Sequence, residues 1–285
     1  MSWPGRSRSA LRSILFVGLI IPLAGGGASR LGAAPALETP AGNPDLALQR
    51  LDAALSRGEI SYSEAASQKL HYLFDRSRMD RRWSQGDMSP ARCGTMVLHE
   101  IGRNLGRLDG ETRGEYERYV LAGGSALATP ATALAPPSVY QTTHFYVEYA
   151  TNGQNGVSPT DVSPANGVPD YVERTAESCE FSWTTEVTNL GYLAPQLSGG
   201  PSNKYLIQFQ NQQSYGFTTI VSGVRTKIVL HPNFSGFPPN DDPDGDQLGA
   251  LRVTVAHEFK HASQIMYTGW SEGGWVELDA TWMED

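Results

Sequence analysis

The spacing of apolar residues divides the chain into two regions. From residue 43 to 121, apolar positions recur every three or four residues, which is typical of amphipathic helices. Asn43-Pro44 predicts a helix start and Gly58 a helix end, while Ser61 with Glu64 forms a capping box at the next start. Four helices are predicted, with apolar residues at positions 48–55, 70–74, 97–105 and 116–120.

The period changes after residue 138. Short runs rich in β-branched and aromatic residues predict strands, at residues 144–149, 205–209, 217–221 and 226–230. Helical spacing predicts three further helices, over residues 169–187, over 249–267, and from about 274 onward. A loop rich in proline, glycine and aspartate, residues 232–247, precedes the helix at 249. The pattern therefore predicts an α+β region that follows an all-α region.

The N-terminus predicts export. Arg6, Arg8 and Arg12 precede a short apolar run at residues 14–24, and Ala34-Pro35-Ala36 offers a cleavage site. An uncleaved anchor is the alternative. Because no second long apolar run follows, we expect an exported protein (periplasmic, cell-surface or secreted) without stable membrane association after signal removal.

Small residues and prolines at positions 122–137 predict a linker, which would suit a processing protease. We therefore predict four segments, which are a signal peptide at 1–36, a helical pro-segment or accessory domain at 37–121, the linker at 122–137 and a catalytic domain at 138–285. The net charge of −8 is dispersed, and no basic block lies outside the extreme N-terminus, which excludes a nucleic-acid footprint.

One stretch predicts metal chemistry. His257-Glu258-Phe259-Lys260-His261 fits the pattern H-E-x-x-H within the predicted helix at 249–267. Residues four apart share a helix face, so both imidazoles can bind one zinc ion at about 2.0–2.1 Å. Glu258, one step around the helix, can take a proton from a water whose pKa zinc lowers to about 7. We predict His257 and His261 as zinc ligands and Glu258 as the general base.

The third ligand is expected from the last helix, which offers Glu277, Asp279 and Glu284. Ala280 and Thr281 are small and share the face of Glu277, so this face can approach the histidine helix closely. Glu284 lies two turns further on, about 10.5 Å along the axis. We predict Glu277 as the ligand, while Asp279 and Glu284 stay open as alternatives or as outer partners of the site.

These elements resemble the gluzincin branch of the zincin metallopeptidases, in which H-E-x-x-H is followed by a W-x-E-x-x-A pattern. Here that pattern is Trp275-Val276-Glu277-Leu278-Asp279-Ala280, closer to His261 than in the thermolysin and aminopeptidase branches. The resemblance implies Glu277 as third zinc ligand and a zincin-like upper lobe, a twisted mixed sheet that carries the active helix. It also implies a lower lobe after that helix, so we expect the sequence to be truncated.

Most of the chain is similar to a group of exported bacterial proteins of the metalloprotease type, known mainly from genome sequences. The similarity lies in several short pieces, at residues 92–95, 166–173, 190–192, 215–216, 253–264 and 282–285. It implies a zinc metalloendopeptidase that acts on a protein or peptide substrate. We expect that substrate to lie extended along an edge strand, at residues 226–230.

Two acidic loops are candidate calcium sites. Asp161, Ser163, Asn166 and Asp170 approximate a calcium-binding loop with altered spacing, and residues 240–246 cluster carboxylates before the histidine helix. Plain solvated turns are favoured at both places, so calcium is a secondary prediction beside zinc.

Two cysteines, Cys93 and Cys179, leave three possibilities. An oxidising compartment favours a disulfide between them, which would stabilise the fold by about 2–4 kcal/mol. Alternatively, Pro90-Ala91-Arg92-Cys93-Gly94 resembles the cysteine switch of matrixin pro-segments, which implies Cys93 as a fourth zinc ligand. Two free thiols are the third possibility.

The sequence thus predicts an exported zinc metallopeptidase. The alternatives are a non-catalytic binding or scaffold protein with a zinc site, and a zinc hydrolase of a non-peptide bond. Cleavage preference, a transition-state-stabilising residue and the oligomeric state stay open.

Overall fold

The computed structural model describes residues 46–86, 89–121, 137–197 and 203–284. The predicted signal peptide and all but Pro137 of the predicted linker lie outside these residues. The described chain is mixed α+β, and residues 41–285 form one compact unit. Among the described helices, none is both long enough and apolar enough to cross a bilayer.

The N-terminal half of the unit contains the four predicted helices. They are α1 (Leu46–Ser56), α2 (Tyr62–Phe74), α3 (Thr95–Arg103) and α4 (Gly110–Tyr116), and a π-helical turn at Glu117–Leu121 extends α4. Single 3-10 turns lie at Arg76–Arg78 and Leu105–Arg107. Ser61 caps α2 by accepting a bond from the Glu64 amide, and Gly58 follows α1 with a φ of 71°.

Six strands form one mixed sheet. They are β1 (Ala91–Cys93), β2 (Ser138–Gln141), β3 (Phe145–Tyr149), β4 (Tyr205–Phe209), β5 (Ser214–Ser222) and β6 (Arg225–Leu230), in the order β1-β5-β6-β4-β3-β2. The four predicted strands are confirmed, but β1 and β2 were not expected because three or four residues show no readable alternation.

The predicted substrate edge at residues 226–230 is wrong. Those residues form β6, which pairs with β4 on one side and β5 on the other. β6 is an interior strand because it forms an antiparallel hairpin with β5. β1 pairs in parallel with the other side of β5, where Cys93 lies opposite Gly216.

Three helices complete the fold. They are α5 (Asp170–Ser182), followed by a π-helical turn at Trp183–Asn189, α6 (Asp246–Thr268) and α7 (Trp275–Trp282). The sheet packs one face on α5 and α6, and this core includes Phe145, Ile207, Ile228, Val255 and Phe259. The fold therefore presses α6 against the sheet, with α7 beside it.

The four N-terminal helices form a second hydrophobic core with the part of the sheet around β5. The sheet contributes Phe217 and Val229 to it, and Phe217 meets Phe74 edge to face. Further along the same face, a polar network joins Glu148, Gln208 and Lys227. The helical region therefore covers the β5 end of this face within one compact unit. Its role as a pro-segment or accessory domain stays a prediction.

Candidate metal centre

The 23-residue helix α6 forms the base of the site. Val255, Phe259 and Ala262 pack into the core against the sheet, as helical spacing requires. His257 and His261 lie one turn apart, and both are buried. The sequence-predicted pair therefore lies inside the protein, where donor atoms are shielded from water.

The ring nitrogens of the two histidines converge on two further side chains. His257 Nε2 and His261 Nε2 are 3.1 Å apart, and Glu277 Oε2 and Oε1 lie 3.3 and 3.5 Å from them respectively. Cys93 Sγ lies 3.4 Å from His261 Nε2. One atom from each of the four residues falls within 4.8 Å of all the others, so the group could hold a metal ion.

The three acidic candidates near α7 take three different positions. Glu277 faces both histidines, as predicted. Glu284 bonds the outer nitrogen of His257, Nδ1, at 2.8 Å. Asp279 accepts from Gln264 at 2.9 Å and lies 3.3 Å from Lys260 Nζ. Among these three carboxylates, only Glu277 belongs to the converging group.

Each histidine is oriented by a hydrogen bond at its outer nitrogen. Glu284 orients His257, and the side-chain oxygen of Gln264 lies 2.9 Å from His261 Nδ1. Gln264 is itself fixed because its amide donates to the carbonyl of Val276. Such outer partners set the tautomer and direct Nε2 towards a metal. The role of Gln264 was not predicted, although its i, i+3 spacing from His261 was visible.

Cys93 reaches the centre through strand pairing. β1 places it opposite Gly216, and the amide of Thr95 donates to its sulfur at 3.2 Å. Both cysteines are free, so the favoured disulfide is wrong. The reason is topological, since Cys179 lies on α5 within the sheet core while Cys93 lies at the sheet edge beside His261. Cys93 therefore lies beside the histidine pair, and both the switch and the two free thiols stay predictions.

Charge around the metal-free centre favours a cation. Burial opposes protonation of His257, but hydrogen bonds to Glu277 and Glu284 outweigh it and raise its pKa to about 10. Burial likewise opposes ionisation of Glu277, yet hydrogen bonds from both histidines hold its pKa well below the ordinary value. Burial, with the charges of Glu258 and Glu277, raises the pKa of the Cys93 thiol. The carboxylates of Glu277 and Glu284 thus favour a positive charge at the centre, which a metal ion could supply.

Glu258 lies between the histidine pair in sequence and packs against β5. It is fully buried, and its Oε2 accepts a bond from the Thr95 hydroxyl at 2.9 Å. The Thr218 hydroxyl shares its single hydrogen between this Oε2, at 2.9 Å, and the backbone carbonyl of Glu258, at 2.8 Å. Its other oxygen, Oε1, has no hydrogen-bond partner within the described residues. The contact depends on Gly216, because a Cβ there would lie 2.8 Å from Thr254 Cγ2 and 3.3 Å from Glu258 Cγ. The sequence predicted Glu258 but carried no local signal for either threonine.

A cavity of about 720 Å³ opens beside the centre. His257 and Glu284 border it on one side, Arg92 and Tyr215 on another, and the loop at residues 238–242 closes it. The cavity therefore reaches the His257 side of the centre.

In the two acidic loops, unlike in the centre, the carboxylates accept hydrogen bonds from backbone amides. Asp161 accepts from the amides of Asn166 and Gly167, and Asp170 accepts from those of Val162 and Ser163. In the second loop Asp242 accepts from the amide of Asp244 and from Arg252. Calcium binding at either loop stays a prediction.

The remaining four histidines have structural surroundings. His71 bonds Glu115, His99 packs against Trp270, and His144 bonds Glu180 and stacks on Trp183. His231 is buried, accepts the Phe234 amide at 2.7 Å, and has its pKa lowered to about 4 by burial.

Comparisons with known proteins add no relative. No family model, curated protein or solved structure matches the chain. The assignment of a function therefore depends on the geometry of the site.

Proposed function

We propose that this protein is a zinc-dependent hydrolase of peptide bonds, and that the described conformation is its closed form. The observation that carries the proposal is the convergence of two imidazoles, a carboxylate and a thiol next to Glu258. Two histidines and a glutamate are a donor set that catalytic zinc uses, with a fourth position left for water or substrate. Cys93 occupies the region of that fourth position.

Each residue has a distinct role in this proposal. His257, His261 and Glu277 would hold the metal, and zinc would supply an acidified water and a polarised carbonyl. Glu258 would take the proton of the attacking water and deliver it to the leaving amine. Glu284 and Gln264 would keep the imidazoles in position.

The β5 edge supports a peptide as the substrate. β1 already lies on this edge as an extended segment, with backbone bonds from Ala91 to Gln213 and from Gly94 to Gly216. An extended peptide in the place of β1 would gain the same kind of bonds next to the metal ligands. In the closed form, β1 occupies that place.

A second candidate is a permanently closed structural zinc site. The observation that favours it is Cys93, because structural sites have four protein ligands whereas catalytic sites keep one position open. Glu258 argues against it, since a structural site does not need a carboxylate at this place. A zinc hydrolase of a non-peptide bond is the third candidate.

Casein cleavage by the zinc-loaded Cys93→Ala variant, with and without a chelator, tests the proposal. We expect chelator-sensitive cleavage that Glu258→Gln abolishes in the same background. Stoichiometric zinc without any cleavage of casein would favour the structural site or the hydrolase of a non-peptide bond. Failure to bind zinc would remove all three candidates.

A further inference from the structure

The segment from Arg92 to Thr95 contacts the site at three separate points. Arg92 Nη1 lies 3.7 Å from Glu284 Oε2, and Cys93 Sγ lies 3.4 Å from His261 Nε2. Thr95 is fully buried, and its hydroxyl lies 2.9 Å from Glu258 Oε2. The third contact concerns the general base rather than the metal ligands.

The direction of the Thr95 bond follows from its partners. Thr95 Oγ1 accepts the backbone N–H of Thr218 at 2.8 Å, so its single hydroxyl hydrogen is available to the carboxylate of Glu258. A hydroxyl bond to an ionised carboxylate is charge-assisted, and exclusion of water strengthens it. Thr95 therefore bonds the oxygen of Glu258 that Thr218 also reaches.

The placement of Thr95 is a product of strand pairing. Gly94 donates its amide to Gly216 on β5, and two residues further along β5 the Thr218 amide bonds the Thr95 side chain instead of a backbone carbonyl. The hydroxyl thus continues the β1–β5 ladder at the point where the chain turns into α3. Any movement of β1 away from β5 would also remove Thr95 from Glu258.

We propose that Thr95 is a latch residue that holds the closed form through Glu258, independently of the metal. The inference rests on the proposed function for the role of Glu258 as the base. While the latch is closed, Glu258 is fully buried and Thr95 holds its Oε2, so only the buried Oε1 is left to accept a proton and the base is restrained. Loss of the Cys93 ligand alone therefore leaves the base restrained.

The latch can be tested in the metal-free full-length chain by the rate at which a disulfide reagent, dithiobis-nitrobenzoate, labels Cys93. Cys179 is fully buried in the sheet core and reports global unfolding in the same sample. We expect Thr95→Val to accelerate Cys93 labelling by roughly tenfold to a hundredfold, the range that a hydrogen bond to a charged group provides. Labelling of Cys179 should stay slow.

Two matched variants separate the latch from general destabilisation. Thr95→Ser keeps the hydroxyl and should keep the wild-type rate. Thr175→Val removes another fully buried threonine hydroxyl, which bonds Tyr171 on α5, and should not accelerate Cys93. If Thr95→Val unfolds the chain, so that both cysteines react together, Glu258→Gln weakens the same bond from its other end and should accelerate Cys93 alone. Because loss of the Glu258 charge also lowers the pKa of the Cys93 thiol, the rates are compared at the high-pH plateau, where the thiol is fully ionised.

The outcomes for the latch and for the proposed function are distinguishable. Wild-type labelling of Cys93 in both folded Thr95→Val and Glu258→Gln would overturn the latch, whatever the protein does with zinc. In the zinc-loaded Cys93→Ala background, Thr95→Val should raise casein cleavage further and Thr95→Ser should not. Accelerated labelling without zinc binding by any variant would overturn the proposed function and leave Thr95 as a structural contact.

Discussion

The candidate metal centre and the turn at residues 161–170 both contain carboxylates, but different groups hold the carboxylates in the two places. At the turn, both oxygens of Asp161 accept backbone amides, and Asp170 accepts two more. At the centre, the two oxygens of Glu277 instead face the imidazoles of His257 and His261. Acidic residues that are close in sequence can therefore be held by backbone amides, whereas at the candidate centre the donor atoms converge from different elements.

The difference has an electrostatic consequence. Backbone bonds, first from Ser163 and then from Val162, lower the pKa of Asp170 without any need for a cation. The pKa of Glu277 is lowered instead by hydrogen bonds from His257 and His261, which act against its burial. At the turn, backbone amides stabilise the charge of the carboxylates. At the centre, the charge of Glu277 is stabilised by protonated histidine, or it would be by a metal ion.

The largest expected effect is loss of the metal. His257→Ala or Glu277→Ala should reduce bound zinc from about one ion per chain to near zero. The reason is that the binding free energy of structural zinc, about 10–16 kcal/mol, requires all of the ligands. Metal analysis after dialysis measures this, with His144→Ala as the histidine control. Full zinc in both variants would contradict the assigned centre.

The next effect separates chemistry from binding. Glu258→Gln should keep zinc and lower cleavage by about 10²–10⁴-fold in the Cys93→Ala background, because an amide cannot accept the proton. Glu272→Gln, an exposed residue before α7, is the control. Activity close to that of Cys93→Ala would show that Glu258 is not the base.

A smaller effect is expected at the outer nitrogen of His257. Glu284→Ala should weaken zinc binding by about 10–100-fold, since outer partners of histidine ligands contribute in this range. Competition with a chromophoric chelator measures the affinity, with Glu272→Ala as the control. An unchanged affinity would make the 2.8 Å contact incidental.

Glu186 offers a test on stability, because its carboxylate bonds neither a backbone amide nor an imidazole among the described residues. It is buried without a hydrogen-bond partner among the described residues, and burial raises its pKa from 4.5 to about 8. Between these values the unfolded chain has released the proton that the folded protein keeps, so stability falls as pH rises. Glu186→Gln should remove this slope and add about 1–3 kcal/mol near pH 8. Urea unfolding at pH 5 and pH 8 measures it, and equal slopes in both proteins would refute the assignment.

The smallest effect is expected at the turn. Asp161→Ala removes the acceptor for two amides and should destabilise the protein by about 1 kcal/mol in the absence of calcium. Unfolding with and without calcium measures the difference. A large calcium-dependent stabilisation of the wild type would show that the turn and the metal centre are more alike than their bonding indicates.

Local patterns account for the parts that were predicted. α6 follows from its own apolar spacing, and its period of 3.6 residues brings His257 and His261 together whatever else the chain does. Glu277 follows because a short connection leaves α7 few ways to dock beside α6. The resemblance to zincins added the role of Glu277, which the structure leaves as a proposal.

Long-range pairing accounts for what was missed. β1 has three residues, too few to show an alternation, and its position depends on β5, more than 120 residues later. The favoured disulfide failed for the same reason, since two cysteines in a sequence do not reveal which side of a sheet each one occupies.

The sequence by itself determined the helix, the histidine pair and the adjacent glutamate, because all three depend on neighbours within one turn. Only the tertiary structure decided that Cys93 meets the histidines and that Thr95 and Thr218 bond Glu258. Cys93 and Thr95 lie 168 and 163 residues away from their partners in the chain. The physical reason is that hydrophobic periodicity is local, whereas β1 pairs with a strand that lies more than 120 residues later in the chain.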